Sequence, residues 1–424
     1  MKKISLLLVF TLVFTWAQAQ LDTLTLSLEQ VIAMAQDQSP NAAIAETRLS
    51  NNYWRYQSFL ADYKPQIDLT LGSDLNRSIN PITLPDGGIN YIPQSYFQNN
   101  LNIGLVQDIA STGGSIFFRT GINRLDLFRS DRRPYDRSFL ANPVSIDFVQ
   151  PLFAFNALKW NKITEPLRFE ESKRGYSEDM EEIAFQATQF FFNVLNAQLN
   201  LQAASRDKRN ADTLYVLSQG RFEVGRIAEP ELLQNELNAM NANADLAQQT
   251  LNLQTSSERL RDFLGIKDGV YFNLVPPTDI PDFIVDMETA LQYAIKNRAQ
   301  IIQFSLQAAE AERSVAQAKA DRSPDLNLTG SFGLSQTASN FEDAYSNPLD
   351  QERVRLNLSV PLADWGKARS RMEIATSNQE LTQLNIERDR VNFERDIIVK
   401  VQQFELIRNQ VRLSQKAYDV AQST

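Results

Sequence analysis

The groups that could carry chemistry in this 424-residue sequence are carboxylates and serines, because it contains neither histidine nor cysteine. Without histidine the commonest general base and the commonest transition-metal ligand are both missing. Without cysteine there is no thiol nucleophile, thiolate metal site, disulfide or lipid-modified cysteine. Two sets of carboxylates remain: the run Glu178, Asp179, Glu181 and Glu182, and the dispersed Asp68, Asp74 and Asp147. Paired carboxylates can hydrolyse glycosides when they flank one bond. Carboxylates at alternating positions do not form such a pair without proximity, and an acidic run is normally a solvated helix face, although it could act on cargo if it lined a passage. No phosphate loop, metal cluster or nucleophile motif is present, so no catalytic residue, metal or cofactor is expected.

The elements that must hold these residues are set out twice. Sliding the sequence by 259 positions brings Leu28-Glu29 onto Met287-Glu288, Ala35 onto Ala294, and Lys64-Pro65 onto Ser323-Pro324, followed by Ile67 onto Leu326 and Leu69 onto Leu328. A second match, at 210 positions, joins Ser145 to Leu152 with Arg355 to Leu362. Each half opens with a helical stretch, 28–63 and 287–322, rich in Ala, Gln, Glu and Leu, interrupted by proline only at Pro40. Ser27 and Asp286 are N-caps, and Pro65 and Pro324 are stops. A long helix is predicted over 157–218, a turn over 219–229 and a third helix over 230–264. Two helices of roughly 36 residues each match the span of one of roughly 62 residues, about 100 Å, which no single globular core could serve. The stripe Leu232, Leu233, Leu237, Met240, Ala244, Leu251, Leu260 and Leu264 points to a helical barrel or coiled coil.

The chain begins with Lys2 and Lys3, an apolar run from Ile4 to Trp16, and Ala17-Gln18-Ala19, the order of a secretory signal, with cleavage expected after Ala19. The formal charge of -9 becomes more negative once that segment is removed, which argues against nucleic-acid binding. After residue 20 no run approaches the apolar length of a spanning helix. A β-barrel would escape that criterion.

Six segments alternate: 66–74, 99–109, 115–128, 143–150, 325–335 and 352–360. One face carries Leu101, Ile103, Leu105, Ile146, Phe148, Val354, Leu356 and Leu358; the other carries Asn100, Asn102, Asp147, Arg353, Arg355 and Asn357. Half-buried strands of a soluble sandwich share this alternation. The connections favour a barrel: long polar loops are expected at 75–98 and 129–142, and a tight turn at 110–114, the outer-membrane pattern. Asp68, Asp147, Arg353 and Arg355 are then candidates for a wet lumen. The fold class expected is a mixed α/β membrane protein, with a long α-helical coiled-coil tunnel, strands of a shared transmembrane β-barrel and an internal two-fold sequence repeat. Its segments are a signal at 1–19, a first repeat at 20–265 and a second at 266–424. The competing reading is a secreted structural or adhesive coiled-coil protein.

The duplicated order of helix, proline, strands, Pro-Leu and helix resembles the outer-membrane efflux protein (TolC) family over the mature chain, with Pro151-Leu152-Phe153 and Pro361-Leu362-Ala363-Asp364-Trp365-Gly366 at the two returns. The resemblance implies a homotrimer in outer-membrane lipid, a periplasmic helical tunnel, and a periplasmic adaptor (membrane fusion) protein joined to an inner-membrane pump, in a tripartite efflux or secretion system that is a passive conduit and no enzyme. The turn holding Phe222, Val224, Gly225, Arg226 and Ile227 is similar to the family's first periplasmic tip, where the adaptor docks. Glycine there also serves simply to reverse the chain. Segment 99–128 is a surplus hairpin, either inside the barrel or outside it, and a second tip is expected near position 435, beyond Thr424.

Overall fold

The computed structural model describes residues 23–128, 136–267, 269, 271–278 and 282–423. The expected signal segment, its cleavage site, and Arg129, Asp131, Arg132 and Arg133 lie outside the described residues. In chain order the elements are β1 (Thr23–Leu26), α1 (Leu28–Gln38), α2 (Pro40–Ala61), β2 (Gln66–Thr83), β3 (Ile89–Ile109), β4 (Gly114–Leu127), β5 (Asp136–Pro151), α3 (Ala157–Glu223), α4 (Glu229–Leu264), β6 (Tyr271–Leu274), α5 (Met287–Asn297), α6 (Ala299–Arg322), β7 (Asp325–Ala338), a 3-10 turn (Asp343–Tyr345), β8 (Leu349–Ser359) and α7 (Lys367–Ser423). None of these helices is long and apolar enough to cross a membrane. Two compact units emerge: the described residues to Thr47 with Tyr176–Phe283, and Arg48–Gly175 with the described residues from Ile284. Each draws on both sequence repeats.

The first unit has a core. Val31 and Ala35 on α1, Ile183, Ala187 and Phe191 on α3, and Leu260 and Leu264 on α4 recur every fourth residue and so line one side of each helix. Leu26, Phe272 and Leu274 close it from β1 and β6, a parallel pair that the sequence reading missed. Gln198 on α3 acts as a further strand edge for β6: its side chain donates to the Phe272 carbonyl at 2.7 Å and accepts from the Leu274 N–H at 3.3 Å. α1 starts in a capping box formed by Ser27 and Gln30. The chain leaves α1 at the buried, extended Ser39, whose hydroxyl accepts from the Ala42 N–H and caps α2, with Pro40 as the first helical residue.

In the second unit, Asp286 caps α5 through the Thr289 N–H at 2.9 Å. The stretch 287–322 is interrupted at Arg298, which is extended and has no side-chain cap, so one uninterrupted helix there is corrected to two. Arg298 stands 259 positions after Ser39, the offset of the sequence repeat.

The same unit contains a six-stranded sheet, ordered β2-β3-β4-β5-β7-β8 and antiparallel throughout. The surplus hairpin lies within it, as β3 and β4. The loop expected at 75–98 is instead mostly strand: β2 continues to Thr83, β3 begins at Ile89, and Leu84 to Gly88 make the turn. Two prolines are accommodated in these strands because both avoid ladder positions that require an N–H on each side. Pro81 sits on the edge strand, and Pro93 lies beyond the last β3 residue paired with β4, Tyr96.

Candidate functional site

Two regions carry the predicted site residues. The first is the reversal between α3 and α4. α3 ends with the Gly225 N–H donating to the Phe222 carbonyl and the Arg226 N–H to the Arg221 carbonyl, each at 2.8 Å. That is a Schellman cap, and it places Gly225 in the left-handed region at φ +69°. Ala228 is the N-cap of α4 without a side-chain hydrogen bond, and Pro230 stands in the first turn of the helix. Behind the turn the Asn235 side chain donates to the Ser218 hydroxyl at 2.8 Å, joining the two helices. Phe222, Val224 and Arg226 are exposed and Ile227 is half-buried. A β-carbon at Gly225 would meet nothing within 4 Å.

The second region is one face of the sheet. The cross-strand register puts Asp68 opposite Gly104, Gly104 opposite Arg119, Arg119 opposite Ser145, and Ser145 opposite Gly333, which opposes Gln351. Paired residues share a face. Asp68, Asp147, Arg353 and Arg355 therefore all lie on this polar face, together with Asp74, Asn100, Asn102 and Asn357. Asp147 is held by Arg119 at 3.5 Å and accepts from the Ser145 hydroxyl at 3.3 Å, while the Arg119 guanidinium lies 4.6 Å from the centre of the Phe117 ring. Sequence reasoning missed Arg119 and Phe117, although their alternation with Ile116 and Phe118 was the available signal. Asp68 and the two arginines are not brought together: β2 and β8 are opposite edges, roughly 24 Å apart across five strand spacings.

The other face is apolar and open, with Ile67, Leu69, Leu71, Leu101, Ile103, Val354, Leu356 and Leu358 exposed. Its apolar run gives way at one end to Arg124, Asp126 and Arg137, where Asp126 is buried between guanidinium groups at 2.7 and 2.8 Å. The acidic run on α3 remains a helix surface: Glu181 and Glu182 are exposed and Glu178 and Asp179 half-buried. No cluster able to hold a metal occurs among the described residues.

The chain is similar to known outer-membrane proteins. It is 24% identical over 251 residues to Outer membrane protein TolC of Vibrio cholerae, covering 57% of this chain and 55% of that protein. It is 25% identical over 265 residues to Outer membrane protein TolC of Escherichia coli, covering 56% and 50%. The chain thus spans about half the length of the curated relatives it matches. Its fold is that of the Campylobacter jejuni CmeC outer membrane channel, at 15% identity and TM-score 0.60 over 93% of this chain and 76% of that one. The model of the outer membrane efflux protein family matches residues 123–266 and 290–424, so helices and strands of both units fall within it, and the chain belongs to that family.

Proposed function

We propose that this chain is a channel subunit of the outer membrane, a passive conduit in a tripartite efflux or secretion system. One observation carries the reading: a six-stranded sheet with one polar face, one exposed apolar face and two open edges. Such a sheet cannot enter lipid alone, because each unpaired N–H and C=O at its edges costs several kcal/mol there. Closure with two further copies removes every edge and gives eighteen strands, in the size range that leaves a water-filled lumen. The apolar face then meets lipid, and Asp68, Asp147, Arg353 and Arg355 face the lumen.

The helices support a shared tunnel. Exposed Ile374, Leu381, Leu384 and Val391 on α7, and Leu233, Leu237 and Met240 on α4, follow coiled-coil spacings that await neighbouring helices. The exposed, structurally undemanding turn at Phe222–Ile227 is the surface for the periplasmic adaptor, which connects to the inner-membrane pump. No step of this function calls for catalysis, and TolC-type relatives are channel proteins.

Fractionation combined with sizing tests the reading. A duct subunit stays in outer membranes through carbonate and salt washing and runs as a trimer in mild detergent, and deletion of its gene raises sensitivity to exported compounds. Release by carbonate as a monomer would instead support the secreted coiled-coil reading.

A further inference from the structure

The two edge strands carry opposite charges on the polar face. β2 presents Asp68 and Asp74, and β8 presents Arg353 and Arg355, with every residue of β8 exposed. Asp74 is already oriented, since its carboxylate accepts from the Tyr96 hydroxyl at 3.2 Å. β2 runs away from its helix and β8 runs back toward one, so an edge-to-edge pairing between copies is antiparallel, like every other pairing in the sheet.

The register of that pairing follows from the duplication. Within the chain, the return strand of the first repeat, β5, pairs with the outgoing strand of the second, β7: Ser145 opposes Gly333, Asp147 opposes Ser331 and Val149 opposes Thr329. The offset of 210 carries Ser145, Asp147 and Val149 onto Arg355, Asn357 and Ser359 of β8, and the offset of 259 carries Gly333, Ser331 and Thr329 back onto Asp74, Gly72 and Thr70 of β2. We infer that β8 of one copy pairs with β2 of a second copy of this chain in that register, placing Arg355 opposite Asp74 and Glu352 opposite Arg77.

The remaining pairs agree with this assignment. Leu358 opposes Leu71, Val360 opposes Leu69 and Val354 opposes Leu75, all on the apolar face, while Asn357 opposes Gly72 on the polar face. Arg353 lies diagonal to Asp74, within reach of a long side chain. A shift of two residues keeps the faces but changes the opposed pairs. In one direction Arg355 meets Gly72 and Glu352 meets Leu75, while Arg353 comes opposite Asp74 and Asp350 opposite Arg77. In the other Arg355 meets Asn76 and Glu352 meets Ile79. Opposite charges thus disfavour only the second of these shifts, and it is the duplication offsets that choose between the first shift and the register assigned.

This inference rests on the trimeric reading, and the test separates the two. The sequence contains no cysteine, so paired substitutions report unambiguously. Oxidised outer membranes from the full chain carrying Thr70→Cys with Ser359→Cys should yield a covalent trimer on a denaturing gel, whereas Thr70→Cys with Asn357→Cys, or Asp74→Cys with Asn357→Cys, should yield little. In the otherwise unaltered chain, Asp74→Arg should lower trimer yield about fivefold, and adding Arg355→Asp should restore it. Trimers that cross-link only through a shifted pair, or a charge swap that fails to rescue, would overturn the register while leaving the channel reading intact. Absence of trimers in the unsubstituted protein would overturn both.

Discussion

The core around Phe191 and the six-stranded sheet use the same side chains to opposite ends. In the first unit Val31, Phe191, Val194, Leu260 and Leu264 are wholly withdrawn from solvent within a single chain. On the sheet Ile67, Leu71 and Leu356 remain 74%, 70% and 61% exposed. One apolar surface is complete when the chain folds, and the other, in the proposed channel, is completed by lipid and by further copies. Apolar residues therefore report stability in the first case and environment in the second.

The largest expected effect comes from damaging the completed core. Leu264→Ala should cost about 2–5 kcal/mol, seen as a lowered urea midpoint of the helical signal, because it opens a cavity among packed neighbours. Leu356→Ala should leave that midpoint unchanged. Equal losses at the two positions would break the comparison.

Next in size is a charge on the open face. Leu356→Arg should cost about 2–4 kcal/mol of membrane insertion if it faces the lipid midplane, and less nearer the interface, whereas Asn357→Arg on the polar face should be tolerated. The measurement is the fraction of protein retained in washed outer membranes.

Two glycines with one backbone geometry sharpen the contrast further. Gly265 ends α4 in a second Schellman cap, its N–H donating to the Asp262 carbonyl and that of Ile266 to the Arg261 carbonyl, each at 3.1 Å. A β-carbon there would lie 3.2 Å from the Pro40 ring and 3.3 Å from the Gln38 carbonyl oxygen, whereas at Gly225 it would meet open space. Gly265→Ala should therefore cost about 1–3 kcal/mol and Gly225→Ala about 1 kcal/mol. Gly225→Asp should leave trimer yield normal yet abolish efflux, measured as susceptibility to exported compounds. Normal efflux would remove the docking role from the turn.

The smallest effect is a pH dependence. Hydrogen bonds from the Thr289 backbone and side chain hold the Asp286 carboxyl below its ordinary range, and those from the Ala368 and Gly366 backbone do the same for Asp364. A depressed folded value means stabilisation that is present above the unfolded aspartate range and lost as pH falls through the folded values. Asp286→Asn should flatten this acid limb in a helicity titration, and an unchanged limb would show that the cap does not contribute.

Much of this fold was legible because its signals are periodic. The long helices, their caps at Ser27 and Asp286 and the six alternating segments all follow from spacing. The β1 and β6 pair was not, because four-residue strands carry too little alternation and their pairing joins residues far apart in sequence. The break at Arg298 was not either, since no proline or capping side chain announces it. The outer halves of β2 and β3 were hidden by prolines whose tolerance depends on edge position, a property of the sheet. Of the site residues, the shared face of Asp68, Asp147, Arg353 and Arg355 could be read from parity alone, but the Arg119 partner of Asp147 required the register.

Single cysteines placed along β8 test the central claim most directly, since the chain supplies none of its own. With a fluorescent label at residue 356, 357, 358 or 359 in outer membranes, a lipid-dissolved quencher should act on Leu356→Cys and Leu358→Cys, and aqueous iodide on Asn357→Cys and Ser359→Cys. A lumen surrounded by a lipid-facing surface requires that alternation. Uniform quenching along the strand, or lipid access at the Asn357 and Ser359 positions, would contradict it.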